Sequence, residues 1–344
     1  MSKKNSNVIL KNCFKNYEDL SHIYSSFKKK LSSTKKKLFL IAVSGGPDSL
    51  ALSALAKAYS INNKCKIYYV LVDHNIRKKS LQEAQSVKKL LKKYGIKIDI
   101  LRNKKKISNN IQSEARTIRY KLLIEFCKKK KINTILTAHH LEDQVETFFI
   151  RLSRGSGLQG LSSMKQSNKV NGKINLLRPL LEFKKYQLIK ISKIIFGKYF
   201  IDPTNKDTKY LRTRIRNLKP SLETSGINYD KIFQSIKNLA SSRDTLNNYL
   251  SKVYKDTIDR KGGKIFVNVK KFNNINLEMK ILVLKKLIKD YTDSYYTVRS
   301  KKIVNLIRQI ETKEDAKLTL GGCIIIKEKK HIIIQKENKN KRFY

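Results

Sequence analysis

The sequence predicts an α/β fold: a parallel sheet over the first part of the chain, then a mostly helical region ending in a few short strands. Three observations predict it. A continuous apolar run stops at a glycine-bearing turn, strand-like and helix-like periods alternate as far as residue 152, and long helical periods take over beyond residue 220.

Leu38 to Val43 is apolar at every position and reads as a strand buried on both faces. Ser44-Gly45-Gly46-Pro47 closes it, and Leu50, Ala51, Ala54, Leu55 and Ala58 recur at helical spacing behind Pro47, which suits a first helical residue. The unit then repeats as strand 67–72 with helix 80–93, strand 98–101 with helix 111–128, and strand 134–138 with helix 141–152. Strands alternating with helices imply a parallel sheet, whose ligands bind outside the carboxyl ends of its strands. Loops 44–49, 73–77 and 139–146 are therefore the functional candidates.

A polar stretch from Arg154 to Lys173 interrupts this regularity, and a turn at Asp202 to Asn205 precedes the basic segment 211–218. The expected division is a basic N-terminal extension over 1–37, an α/β domain over 38–220 and a mostly helical domain over 221–344. In the last, 229–254, 277–288 and 298–310 read as helices and 317–335 as short strands around Gly321 and Gly322.

The 344 residues carry 76 Lys and Arg against 27 Asp and Glu, a formal charge of +49 that points to a polyanionic partner, nucleic acid before a small acidic metabolite. Many of the lysines are expected to be solvated, because Lys far outnumbers Arg and runs such as Lys128 to Lys131 suit wet faces. The arginines concentrate between Arg77 and Arg216 and say more, since a guanidinium forks onto phosphate as an ammonium cannot. Cys13, Cys65, Cys127 and Cys323 show no zinc or disulfide spacing, which fits a reducing, cytoplasmic setting. No apolar run near the start is long enough for a membrane span or a signal peptide.

Ser44-Gly45-Gly46-Pro47-Asp48-Ser49 lies between a buried strand and a helix start, where amide hydrogens and the helix dipole converge on a space the size of an anion. The glycines admit an approaching oxygen, and the hydroxyls of Ser44 and Ser49 are expected to donate further bonds to it. The loop is not of the G-x-x-x-x-G-K-[ST] type. Asp48 would repel a phosphate unless a divalent cation lay between them, so Mg²⁺ is expected. In Thr137 to Thr147, helical spacing sets His139, Asp143 and Glu146 on one face, with Leu141, Val145, Phe148 and Leu152 expected on the buried side. Val72, Asp73 and His74 lie at the end of the second strand, where such sheets place their ligands. Arg212, Arg214 and Arg216 alternate, so one helical face cannot hold all three; two are expected at the site and one outward.

The hexapeptide 44–49 resembles the pyrophosphatase loop (PP-loop) of enzymes that cleave ATP between its α and β phosphates, which implies the adenine nucleotide alpha hydrolase-like fold and ATP as substrate. Residues 137–164, with Arg151-Leu-Ser-Arg-Gly-Ser-Gly157 and Gly160-Leu161, resemble the tRNA(Ile)-lysidine synthase family. So do Val72 to Arg77, Asn110-Ile111-Gln112 with Arg116 and Arg119-Tyr120, Arg178 to Leu181, Asp202 to Asn205 and Leu211 to Arg216. The likeness covers about residues 38–218. Asn75, Glu142, Thr213 and Asn217 depart from the family's usual Gly, Asp, Asn and His.

The resemblance implies a carbon–nitrogen ligase that adenylates the wobble cytidine of a tRNA(Ile) with a CAU anticodon and lets free lysine displace AMP. Asp48, Asp143, Glu146, Arg212 and Arg214 are the catalytic candidates; residues 44–49 with Val72, Asp73 and His74 bind nucleotide. Asp48 and Asp143 are the metal candidates, and Asp143 and Glu146 are left between metal and the lysine amine. Whether the chain is a homodimer is left open. A PP-loop tRNA thiolase is the nearest rival and would need paired cysteines; a catalytically inert RNA-binding module is another.

Overall fold

The computed structural model describes residues 8, 14, 16–105, 107, 111–170, 173–202, 207–292 and 298–337. Asn110 and Pro203-Thr204-Asn205, both in segments singled out above, lie outside the described residues, as does Cys13. The chain divides into two compact units, 1–240 and 241–344. The sequence-based boundary at 220 falls inside the first.

The first unit opens with helix α1 (Glu18–Ser32), in the segment expected to be a mere extension. Leu20, Ile23, Phe27 and Leu31 recur on one stripe and are fully buried, so α1 is part of the core of the nucleotide-binding unit. Burying each such side chain contributes about 1.5–3 kcal/mol, enough to outweigh the lysines on the opposite face. Then follow β1 (Leu38–Val43), α2 (Pro47–Asn62), β2 (Lys66–Asp73), α3 (Ser80–Lys93), β3 (Ile98–Arg102), α4 (Ile111–Lys129), β4 (Thr134–Leu136) and α5 (Leu141–Leu152). Each expected strand–helix pair is present.

The polar interruption holds α6 (Leu158–Leu161) and a hairpin of β5 (Ser167–Val170) and β6 (Ile174–Leu177), followed by α7 (Lys185–Phe196). The sheet order is β3-β2-β1-β4-β6-β5, parallel except where β5 meets β6. Strand order reverses between β1 and β4, so the loops after those two strands flank the switch point. Beyond lie α8 (Leu211–Asn217), α9 (Lys219–Thr224) and the first part of α10 (Tyr229–Thr257). Leu141 and Val145 of α5 pack with Tyr229, Ile232, Phe233 and Ile236 of α10; Leu152, expected on the buried side, is 48% exposed.

The second unit holds the end of α10, then β7 (Ile258–Lys261), β8 (Lys264–Asn268), α11 (Val269–Asn273), α12 (Leu277–Thr292), α13 (Ser300–Thr312), β9 (Ala316–Leu320), β10 (Cys323–Lys327) and β11 (His331–Lys336). Its sheet, β7-β8-β11-β10-β9, is antiparallel throughout. The sequence reading caught β9 to β11 but missed β7 and β8, whose polar residues and lysines hide the alternation of Ile265 and Val267. No described helix is long and apolar enough to cross a membrane.

Candidate functional site

The loop after β1 is held open by its own bonds. Gly45 takes φ +83°, and a Cβ there would lie 2.5 Å from Val87 Cγ2, so glycine is required twice over. The amide of Phe200 donates to Gly45 O at 3.0 Å. Pro47 begins α2 and has no amide hydrogen, and the Leu50 amide donates to Gly46 O at 3.0 Å, so the first-turn amides of Asp48 and Ser49 are the ones without an acceptor in the helix. Ser49 is used differently from expectation. It is buried; its hydroxyl donates to Gly46 O at 3.0 Å and accepts from the Ser44 amide at 3.1 Å, which staples the loop instead of facing a ligand. Ser44 remains at the surface, with its Oγ 3.1 Å from Ser49 Oγ.

Asp48 projects toward the loop after β4. Its Oδ2 is 3.6 Å from His140 Nε2, and its Oδ1 is buried with no hydrogen-bond partner among the described residues. Burial, followed by the nearby Asp143, pushes the Asp48 carboxyl up, and His140 opposes this. His140 Nε2 also lies 3.5 Å from Asp143 Oδ2, while Nδ1 lies 2.9 Å from Glu142 Oε2. Burial alone would push His140 down; the carboxylates of Asp143, Glu142 and Asp48 together outweigh it and raise it. Asp143 is deeply buried, yet the charges of His140 and Arg212 hold it below the ordinary carboxylate range. His139 turns away to Thr137 Oγ1 at 2.9 Å, and burial pushes it down to about 3.

Glu146, one turn beyond Asp143, is 2% exposed and receives two guanidinium groups. Arg212 Nε donates to Oε2 at 2.7 Å, Arg216 Nη2 donates to Oε2 at 3.1 Å and Arg216 Nε donates to Oε1. Arg212 Nη2 is also 3.4 Å from Asp143 Oδ1. Of the three alternating arginines, the structure brings Arg212 and Arg216 to this cluster. Arg214, a catalytic candidate from the sequence, is exposed on the opposite side of α8, because residues four apart share a helical face and residues two apart do not. Arg216 was the missed residue, and the same spacing rule is the signal that singles it out with Arg212.

At the end of β2, Asp73 is buried and largely occupied locally. Its Oδ1 accepts the Asn75 amide at 2.9 Å, at a residue with φ +55°, and its Oδ2 lies 3.5 Å from Arg102 Nε. His74 Nε2 accepts from Arg119 Nε at 3.3 Å, while its Nδ1 is buried without a partner among the described residues. Burial, then the charge of Arg119, pushes His74 down to about 4. Val72 is half-buried beside them. Two signature arginines brace the backbone: Arg151 Nη1 donates to Gly160 O at 2.6 Å and Ser163 O at 3.0 Å, and Arg178 Nη1 donates to Lys165 O at 2.7 Å.

Taken together, an anion-sized amide cradle, two carboxylates straddling an imidazole and a paired guanidinium cluster adjoin at the sheet's switch point. Residues 19–222 match the model of the PP-loop domain, an ATP-binding family. The chain is 34% identical over 303 residues to the tRNA(Ile)-lysidine synthase of Wolbachia pipientis wMel, covering 87% of this chain and 70% of that one. It is 32% identical over 312 residues to the enzyme of that name from Orientia tsutsugamushi (strain Boryong), covering 86% and 69%. Among solved structures, the U34-tRNA thiolase NcsA from Methanococcus maripaludis, with its [4Fe-4S] cluster, superposes with a TM-score of 0.55 at 19% identity, over 67% of this chain and 79% of that one. That likeness is one of fold. On the strength of the matched domain and of relatives similar along most of its length, the chain belongs to the tRNA(Ile)-lysidine synthase family of PP-loop enzymes.

Proposed function

We propose that this chain uses ATP to join free lysine to C2 of the wobble cytidine in a tRNA(Ile) with a CAU anticodon, through an adenylated cytidine. The observation that carries the reading is the unbroken polar path from Asp48 through His140 and Asp143 to Arg212, Glu146 and Arg216. It joins a phosphate cradle to a second set of charges, as two successive displacements on one substrate require.

In the first displacement the cytidine O2 attacks the α-phosphorus of ATP, and the bond from that phosphorus to the bridging oxygen breaks. The departing pyrophosphate rests against the amides of Gly45, Gly46, Asp48 and Ser49. Mg²⁺, when bound, would spread the phosphate charge. Asp48 and Asp143 offer it two oxygen ligands, and Asp48 Oδ1 has no other partner among the described residues. An ion held by two carboxylates takes its remaining ligands from phosphate oxygens and water.

In the second displacement the lysine ammonium loses a proton to water, the amine so formed attacks C2, the C2–O bond breaks, AMP leaves with that oxygen and the new nitrogen sheds a second proton. Glu146 supplies the anion for the incoming ammonium when Arg212 or Arg216 turns from it to the phosphate gaining charge. Arg214, being exposed, faces the RNA in this reading. Its substrates make the cytoplasm its setting.

The cysteines do not favour the thiolase alternative. Cys65 sits before β2, at the strand end away from the loops, and Cys127 is packed in an apolar cluster where burial pushes its thiol up to about 12. The deciding experiment incubates the full chain with ATP, Mg²⁺, labelled lysine and tRNA(Ile)(CAU). Label at the wobble base is expected; unlabelled RNA from folded, ATP-binding protein would refute the reading.

A further inference from the structure

His140 is 2% exposed, and both of its ring nitrogens meet carboxylates. The short contact is the one to Glu142, at 2.9 Å from Nδ1. Glu142 is itself anchored, because the same Oε2 accepts the amide of Lys185 at the start of α7, at 2.9 Å. The ring is thus clamped from behind by an element other than its own. With Nδ1 fixed, Nε2 is nearly equidistant from the Oδ2 atoms of Asp48 and Asp143, at 3.6 and 3.5 Å.

Those two carboxylates belong to different helices, α2 and α5, and like charges so close would splay without a donor between them. Asp143 has a second hold, the amide of His140 at 3.2 Å and the guanidinium of Arg212. Asp48 has no such hold on Oδ1 among the described residues. The ring is therefore what limits how far the phosphate-loop acid stands from the acid on α5.

We propose that His140, seated on Glu142, is a positioning residue that sets the spacing of Asp48 and Asp143 for the reaction. The proposal deepens the functional reading above and rests on it for the activity measured. Glu142 acts through the ring, which it holds from the Nδ1 side. Because reacting groups misplaced by an ångström slow a reaction far more than they weaken binding, the signature is a loss in kcat with ATP affinity largely kept.

Lysidine formation, with kcat and KM for ATP, and equilibrium ATP binding are measured on the full chain and on H140A, H140Q, E142A and the H140A/E142A double variant. H140A is expected to lower kcat roughly 10–100-fold while ATP affinity stays within about threefold. H140Q recovers most of that loss, since its amide N–H reaches the place of Nε2. E142A loses less than H140A and nothing further in the H140A background. Equal loss from E142A in both backgrounds, equal falls in kcat and ATP affinity, or no recovery in H140Q would overturn the proposal.

Crystal structures of the nucleotide-free wild type and of H140A give a readout independent of turnover. A changed distance between the Asp48 and Asp143 carboxylates is expected, and an unchanged one overturns the proposal. Should H140A not fold, E142A takes its place in the same comparison, with a turned ring and altered spacing expected. A wild type that makes no lysidine would refute the functional reading alone, and the crystallographic comparison would still decide the role of His140.

Discussion

Glu146 and Arg216 stand 70 residues apart in the chain and meet in a two-point contact, Arg216 Nη2 reaching Oε2 at 3.1 Å and Nε reaching Oε1. Two guanidiniums, those of Arg212 and Arg216, satisfy both oxygens of this carboxylate, which is 2% exposed. The contact also bolts α8 against α5, so the arginines stand beside the phosphate loop in a fixed direction.

Removing one guanidinium should therefore be felt and removing the neighbour should not. Arg216→Ala is expected to destabilise the fold by about 1–3 kcal/mol, leaving Glu146 half-paired, and to cut lysidine formation. Arg214→Ala, on the exposed side of the same helix, should change stability by no more than about 0.5 kcal/mol. Urea unfolding of the two variants checks both; equal midpoints would refute the assignment.

Asp48 separates stability from activity. Burial raises its folded-state pKa, so its contribution to stability is present below the unfolded value and is lost as pH rises through the folded one. Burial makes the charged form a burden on the fold, and Asp48→Asn should unfold at equal or higher denaturant while losing pyrophosphate release. tRNA binding by the variant, measured by filter retention, should stay near wild type.

His74 and His139 give the opposite pH dependence. Their folded-state values fall to about 4 and about 3, chiefly through burial, whereas the unfolded chain takes up protons near pH 6.5. The unfolded state therefore binds more protons as pH falls from 6.5, and stability declines toward pH 4. His74→Gln and His139→Gln should each flatten that slope in urea midpoints taken between pH 4.5 and 7, at some cost in activity; an unchanged slope would count against neutral, buried rings.

Gly45→Ala should be severe for a small change. The left-handed backbone disfavours a Cβ by about 1–2 kcal/mol and the approach to Val87 adds about 1–3 kcal/mol. A Gly45→Ala, Val87→Ala pair should recover the packing part and not the backbone part. Calorimetric melting of the three proteins separates the two terms.

If lysines form the RNA surface, log K for tRNA should fall steeply and linearly with log salt, one slope increment per phosphate neutralised. A flat response would mean that the +49 charge is solvated and not engaged.

The sequence by itself determined the nucleotide-binding half. Continuous apolar runs such as 38–43 can only be strands covered on both faces, and Gly45-Gly46-Pro47 behind such a run turns one into a helix start, so loop, strand and helix follow from local rules. Period 3.6 likewise put Asp143 and Glu146 on one side of α5. Only the tertiary structure decided which arginines reach them, that Ser49 staples the loop, that α1 is core and not an extension, and that Glu142, His140 and Lys185 converge. Those outcomes depend on which elements pack together across tens of residues, and pairing between distant polar groups leaves no period in the chain to read.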